Sequence, residues 1–222
     1  PELGSWTVIG SVVTDMPLEE ESKKLPDGCG TCRRCSVDCP TSAIDEFGEL
    51  DANRCLAWLL QAKGIFPRQY RAALGNRLYG CDDCQVLCPV NDTAIEGSRA
   101  AVPREDKVDI VALLDASDED LMDQYGHWYI PRRRPEYLRR NALVVLGNSQ
   151  SGDSPEVERV LANCLASPHA LVRSHAVWAV LRLGKRHLIG PNEIRTLTEN
   201  DDEGLVRAEL EEWGILADPV SP

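Results

Sequence analysis

Three things are scarce in this chain, and each scarcity narrows what it can be. Long apolar runs are missing: none approaches the roughly 18 residues that a membrane-spanning helix needs. No charged-then-apolar leader of the secretory kind opens the sequence, so a cytoplasmic protein without membrane contact is expected. Basic charge is short, with 24 Lys and Arg against 36 Asp and Glu, a formal net charge of −12. A uniformly acidic surface repels a phosphate backbone, which excludes indiscriminate nucleic-acid binding and leaves only local contact. Histidine is rare as well, and His127, His169, His175 and His187 have no spacing that would pair them as metal ligands.

Disorder is excluded by what remains: 43% of the residues are hydrophobic and 27% charged, an ordinary globular balance, over 222 residues that suffice for two modest cores. The chain opens at Pro1, directly before an apolar, strand-like stretch from Trp6 to Val13, WTVIGSVV, so that it reads as the middle of something longer.

Cysteine is the residue in excess. Eight of the nine fall in the first 88 positions. They read CGTCRRCSVDCP at 29 to 40, then Cys55 alone, then CDDCQVLCP at 81 to 89. Such clustering is not how a disulfide framework spreads its thiols. Cys29, Cys32, Cys35 and Cys39, with Pro40 closing the run, match the bacterial ferredoxin pattern, in which three close thiolates hold one [4Fe–4S] cube and the fourth crosses to a second. A two-residue spacer wraps the backbone round a cube corner, and soft thiolates select iron–sulfur or zinc over hard cations. Paired zinc knuckles are the alternative, but they usually separate their cysteine pairs by a longer loop. Counting then assigns Cys29, Cys32, Cys35 and Cys88 to one cluster and Cys39, Cys55, Cys81 and Cys84 to the other. The ninth, Cys164, sits in a helical apolar pattern and reads as a small buried hydrophobe.

The second run departs from a two-cluster ferredoxin because its first cysteine is displaced to Cys55 by a long insert, CLAWLLQAKGIFPRQYRAALGNRLYG, with helical pattern over Leu56 to Ala62 and near Arg71 to Leu74. An insert of that size is expected to cover a face of the cluster or to present it to a partner. From about Lys107 helical periodicity takes over, with Ser117 a candidate N-cap. Leu171-Val172-Arg173 recurs as Leu205-Val206-Arg207, and LRRNALVVLG at 138 to 147 parallels LVRSHAVWAVLRLG at 171 to 184, a spacing that fits stacked HEAT-like helix pairs. Their apolar residues, such as Leu143, Val144, Val177, Trp178 and Leu181, are candidate core. Arg132, Arg133, Arg134, Arg139 and Arg140 cluster with Glu136 the one acid among them. On charge pattern alone this is a solvated helix start. Beside His127, Trp128 and Tyr129 it is also the combination that stacks unpaired bases while pairing phosphates.

The order GSWTVIG, CGTCRRCSVDCPTSAI, LDANRC, GCDDCQVLCPVN and RRNALVVLGN, then HEAT-like helices, resembles the C-terminal half of the epoxyqueuosine reductases, cobalamin-dependent iron–sulfur enzymes that finish queuosine at the tRNA wobble position. The resemblance covers nearly the whole chain. It implies an α+β fold with a remnant strand and linker of a preceding cofactor domain at 1–25, a ferredoxin-like double-cluster domain at 26–106 and an all-α HEAT-like domain at 107–222. It implies an oxidoreductase whose clusters feed electrons to cobalamin, with no catalytic residue of its own in this chain, because the family's proton donor precedes the GSW stretch. Ala57, Cys81 and Asp82 would face cobalamin. After the lone cysteine the family often has a Ser-Tyr-Leu-Thr-like segment, whereas Cys55 is followed here by Leu56, Ala57, Trp58, Leu59 and Leu60. Lys63 and the Arg132 to Arg140 cluster would meet the tRNA anticodon stem-loop. An electron donor of the flavodoxin, ferredoxin or reductase kind is the other partner, and a monomer is expected. The alternative reading is a stand-alone two-cluster electron-transfer protein, or a paralogue, docking to a separate reductase.

Overall fold

The helices of the second half begin where side chains can take up their first amide groups. Asp109 accepts from the Val111 and Ala112 N–H groups at 2.9 and 3.0 Å and starts α5 (Ile110–Asp115). Ser117 caps Asp120 and starts α6 (Asp118–Tyr125), where the sequence predicts it. Ser154, followed by Pro155, starts α8 (Pro155–Leu165), and Asp201 accepts from Val206 and Arg207 at the head of α11 (Leu205–Glu212). Between these run α7 (Glu136–Asn148), α9 (Ala170–Arg182) and α10 (Pro191–Glu199). The computed structural model describes residues 5–7, 10–17, 28–45, 48–91, 107–149, 154–199 and 201–216.

Backbone contacts divide the chain into two units, residues 1–51 with 82–104 and residues 52–81 with 105–222. One change of unit, at 104/105, lies beside the expected boundary near 106, and in addition the insert goes with the helices and not with the cysteine runs. In the larger unit α7 packs on α5 and α9, α9 on α8 and α11, and α10 on α11. The helices α7, α9 and α11 therefore follow one another as a row, with α8 and α10 intervening in sequence. The repeated Leu-Val-Arg triplets open α9 and α11, and in each the valine is buried. Leu143, Val144, Val177 and Trp178 are core. Gly147 marks where α7 and α9 come closest, since a Cβ there would stand 2.4 Å from the Trp178 ring.

Two short helices of the insert, α2 (Leu56–Gln61) and α3 (Arg68–Leu74), lay Leu56, Leu59, Leu60 and Leu74 into the same core, and the turn between them adds Phe66. Helices of six and seven residues cannot hold themselves, and their last carbonyl groups need donors. The buried Arg140 guanidinium of α7 donates to the Leu59, Leu60, Ala62 and Gly64 carbonyls at 2.7 to 3.2 Å. Asn141 donates to the Leu60 and Leu78 carbonyls, and Asn148 to those of Arg71 and Gly75. From α9, His175 accepts the Phe66 N–H at Nε2 (3.1 Å), which fixes its proton on Nδ1, donated to the Leu171 carbonyl at 2.8 Å. Arg71 is buried against Glu209 of α11 (2.8 Å) and donates to the Phe66 carbonyl. Arg68 reaches the same Glu209 and lies over the Trp213 ring.

In the smaller unit α1 (Arg34–Val37) packs on α4 (Asp83–Val86). The expected α+β class is not borne out among the described residues. Among the described residues the one β feature is an isolated antiparallel bridge, Ile44 to Leu50, and all else regular is helical. A strand exists only where a neighbour completes its ladder. The stretch around Val12 and Val13, side chains 90% and 99% exposed, has no such neighbour among the described residues. No helix among the described residues is long and apolar enough to cross a membrane.

Two outcomes follow from the polar ties between insert and helices. Arg140→Ala removes a donor from four carbonyl groups, of which those of Leu59 and Leu60 keep another, and should lower stability by roughly 3 kcal/mol in denaturant unfolding; an unchanged midpoint would mean that water takes over these bonds. Burial, followed by repulsion from Arg71, pushes the His175 pKa well below its ordinary 6.5. The unfolded chain therefore binds a proton near pH 6.5 that the folded chain refuses. This contribution to stability is complete above about pH 6.5 and is lost as pH falls below it, by at most about 1.4 kcal/mol per pH unit. Unfolding measured between about pH 6.5 and 5 should show the decline, and His175→Gln should flatten it; equal slopes would count against this assignment.

Candidate iron–sulfur centre and nucleic-acid interface

The two cysteine runs repeat in structure as they do in sequence. In each, a C-x-x-C-x-x-x-C-P stretch forms a four-residue helix whose second residue is the middle cysteine: Cys35 in α1 and Cys84 in α4. The Cys29 turn is closed by the Cys32 N–H on the Cys29 carbonyl at 2.9 Å. Gly30 takes the left-handed φ of 53° that this turn requires. Arg33 donates to the Gly30 and Cys32 carbonyls and pins the turn. After α4, the Gln85 carbonyl receives the Cys88 N–H, and the Cys88 carbonyl receives that of Asn91. The wholly buried Asn91 side chain accepts from the Ser5 N–H and donates to Ser5 Oγ and the Gln85 carbonyl, each at 2.7 Å. The cysteine-bearing loop and the segment that precedes the first run are thereby tied together, a link that the sequence pattern does not signal.

All nine cysteines are thiols; Cys29 and Cys32 are exposed, and Cys35, Cys39, Cys55, Cys81, Cys84 and Cys88 half-buried. Cys39 Sγ receives the Ala43 N–H at 3.2 Å. Burial, the largest influence on this thiol, opposes ionisation, but amide groups of Thr41, Ala43 and Ile44 outweigh it and lower its pKa, favouring the thiolate that ligation needs. Cys55 precedes α2 at its N-cap, and Cys81 packs at the edge of the helical core. Cys164 is buried among apolar side chains, and burial pushes its pKa up to about 12, which suits a packing role. Among the described residues no three Cys, His, Asp or Glu side chains form a site for a single metal ion. The donor set fits iron–sulfur ligation: accessible or half-buried thiols, no disulfide, and backbone N–H groups turned toward sulfur. Of the residues named for cobalamin, Ala57 and Cys81 are half-buried and Asp82 exposed.

The arginine cluster divides. Arg140 is turned fully inward, its donors spent on carbonyl groups and Asn141, and burial lowers its pKa to about 10. It is removed from the candidate RNA contacts. Arg139 is removed too, largely buried and donating to Asp118 and the Ala116 carbonyl at the α5–α6 junction. Arg134 is exposed but paired with buried Glu136. Arg133 donates to the Gly126 carbonyl at 3.0 Å. Arg132 is exposed and has no hydrogen bond or ion pair among the described residues. Lys63 is exposed on the turn that Arg140 holds. Beside it a cleft of about 290 Å³ is lined by Gly64, Arg134, Glu136, His169 and Asp202, mixed in charge. Of the aromatic residues, Trp128 is taken up by Tyr79 and Tyr125, whereas Tyr129 is 61% exposed.

Residues 28–91 match the family described as a 4Fe-4S double cluster binding domain. A protein of Geobacillus stearothermophilus, described as an uncharacterised protein in the gldA 3′ region, is 32% identical over 206 residues, covering 91% of this chain and 94% of that protein. The epoxyqueuosine reductase of Staphylococcus aureus is 36% identical over 188 residues, 81% of this chain and 47% of the enzyme. Among solved structures, an epoxyqueuosine reductase crystallised with an epoxyqueuosine-modified tRNA-Tyr stem loop matches with a TM-score of 0.70 at 29% identity, over 88% of this chain and 52% of that one. The chain spans about half the length of the reductases it matches. Sequence identity along nearly the whole chain, the double-cluster match and the common fold agree: the chain belongs to the epoxyqueuosine reductase family.

Proposed function

We propose that this chain is the cluster-bearing and RNA-positioning part of an oxidoreductase that converts epoxyqueuosine to queuosine in tRNA. The observation that carries the reading is the match to a reductase whose structure holds an epoxyqueuosine-modified stem loop. Cys29, Cys32, Cys35 and Cys88 hold one [4Fe–4S] cluster, and Cys39, Cys55, Cys81 and Cys84 the other. When bound, the clusters supply electrons singly to a cobalamin, and the epoxide oxygen leaves as water with the uptake of two electrons and two protons. The chain's own residues aim thiolates, favour ionisation of Cys39 and hold the RNA. Lys63, Arg132, Arg133 and Arg134 are the remaining basic contacts, and Ala57, Cys81 and Asp82 the cobalamin-facing ones. A small single-electron carrier of the flavodoxin or ferredoxin type, or a reductase, supplies the electrons to a monomeric cytoplasmic protein.

A second reading, an electron-transfer protein that docks on a separate reductase, draws on the Geobacillus relative that is matched over 94% of its own length. RNA affinity separates the two. Deleting the gene in its own cells should raise epoxyqueuosine and deplete queuosine in tRNA hydrolysates; an unaltered nucleoside ratio would overturn the reductase reading. With the cluster-loaded protein and an anticodon stem-loop RNA, replacing Arg132 and Arg133 by Ala should weaken binding and flatten the salt dependence by about 0.7 in log–log slope per lost phosphate contact. No measurable RNA affinity in the unaltered protein would favour the electron carrier.

A further inference from the structure

The loop from Gly126 to Arg133 is built with more constraint than a surface connection needs. Tyr79 stacks on Trp128 with ring centroids 4.7 Å apart and planes within 10°. Tyr125 closes on the same indole at 4.8 Å. The Tyr79 hydroxyl accepts the Tyr129 N–H at 2.8 Å, so the backbone of Tyr129 is held from below while its ring stands in solvent, in no aromatic contact among the described residues. Ile130 and Pro131 are buried and anchor the next step. Arg132 and Arg133 then both take left-handed backbone, φ 52° and 53°. That conformation is strained for any residue with a Cβ and would be relieved by glycine. Arg133 turns back to the Gly126 carbonyl and locks the loop, which leaves the Arg132 guanidinium projecting. Strain of this kind persists where the surroundings over-determine it, and it gathers at binding sites.

The geometry points to a clamp for one unpaired nucleotide, in which Tyr129 stacks the base and Arg132 pairs with a flanking phosphate. The assignment rests on the RNA-binding reading above and narrows it to two residues. RNA is the partner this chemistry suits: bases splayed from a loop stack on aromatic rings, a duplex hides its edges in a deep groove, and an arginine beside the ring reads phosphate. A single guanidinium on a chain of net charge −12 supplies a local attraction without general affinity for polyanions. Tyr79, which carries the platform, stands two residues before Cys81. A base stacked on Tyr129 is thereby held in register with a segment that bears a proposed cluster ligand.

The test uses the cluster-loaded protein and an anticodon stem-loop RNA with 2-aminopurine placed at successive loop positions. Binding should quench the fluorophore at one position. Tyr129→Ala should abolish that quenching and weaken binding by roughly five- to a hundredfold, with no change in melting temperature, because the ring it removes is exposed. Tyr129→Phe should restore both. Arg132→Gly should lose affinity while its melting temperature stays the same or rises, the signature of strain kept for binding. Wild-type affinity and quenching in Tyr129→Ala, or a Tyr129→Phe as weak as the alanine variant, overturns the clamp and leaves the RNA reading standing. A wild-type protein with no RNA affinity overturns both.

Discussion

A guanidinium with no carboxylate, sealed inside a helical core, is held by main-chain carbonyl oxygens, the Asn141 side chain and the Phe66 and Tyr137 rings, and that arrangement of Arg140 sets the terms for the rest of the larger unit. Its donors meet the end of α2 and the turn that follows it. Asn141 and Asn148 on the same helix donate likewise to carbonyl groups at the end of α2 and around α3, and His175 on α9 accepts the Phe66 N–H of the turn between them. Helices this short have no independent stability, and their terminal carbonyl groups would be costly to bury without donors. The insert is therefore folded by the helices it packs on. Since Cys55 immediately precedes α2 and Cys81 ends the insert, the placement of two proposed ligands depends on side chains far along the sequence, such as Arg140, 81 residues on from the Leu59 carbonyl it holds.

The cysteine pattern was legible because ligand spacing is local: two copies of C-x-x-C-x-x-x-C-P produce two copies of one four-residue helix. The helices and the Leu-Val-Arg repeat were legible for the same reason, being patterns of period and capping. The arginine cluster misled because charge along a sequence carries no direction. A signal was present, however: Tyr137, Arg140, Asn141, Val144 and Asn148 recur at three- and four-residue intervals, a stripe that faces the insert and the core. A polar residue inside an apolar stripe is a candidate donor to buried backbone. The α+β expectation is not borne out among the described residues on the complementary point: the apolar, strand-like stretch Trp6 to Val13 signals one segment, and a strand is a property of two.

The electrostatics narrow in the same direction. Arg139 is neutralised by Asp118, Arg134 by Glu136, and Arg71 by Glu209. What a polyanion meets on this loop is mainly Arg132 with the locked Arg133 behind it. For the proposed clamp this would be an advantage for selectivity in an acidic protein: long-range repulsion discourages general RNA binding, and a ligand whose shape brings a phosphate to that one place, and a base to Tyr129, would recover the loss.

The smaller unit applies the same economy of donors to sulfur. The levers a protein has over an iron–sulfur cluster are burial, net charge and hydrogen bonds to sulfur, and backbone supplies the last of these here. The Ala43 N–H reaches Cys39 Sγ because Pro40 and the left-handed Ser42 (φ 50°) fold the chain back toward the thiol. A main-chain donor survives any substitution that keeps the turn, whereas a side-chain donor would not. Asn91 extends the principle to the second run: its amide occupies the Gln85 carbonyl that also receives the Cys88 N–H, so the loop around Cys88 is fixed by bonds to main-chain groups. A thiol whose backbone is fixed has little to reorganise when it ligates: the turn that sets Cys39 brings an amide N–H to its sulfur, and the Cys88 loop is held by bonds to main-chain carbonyl groups.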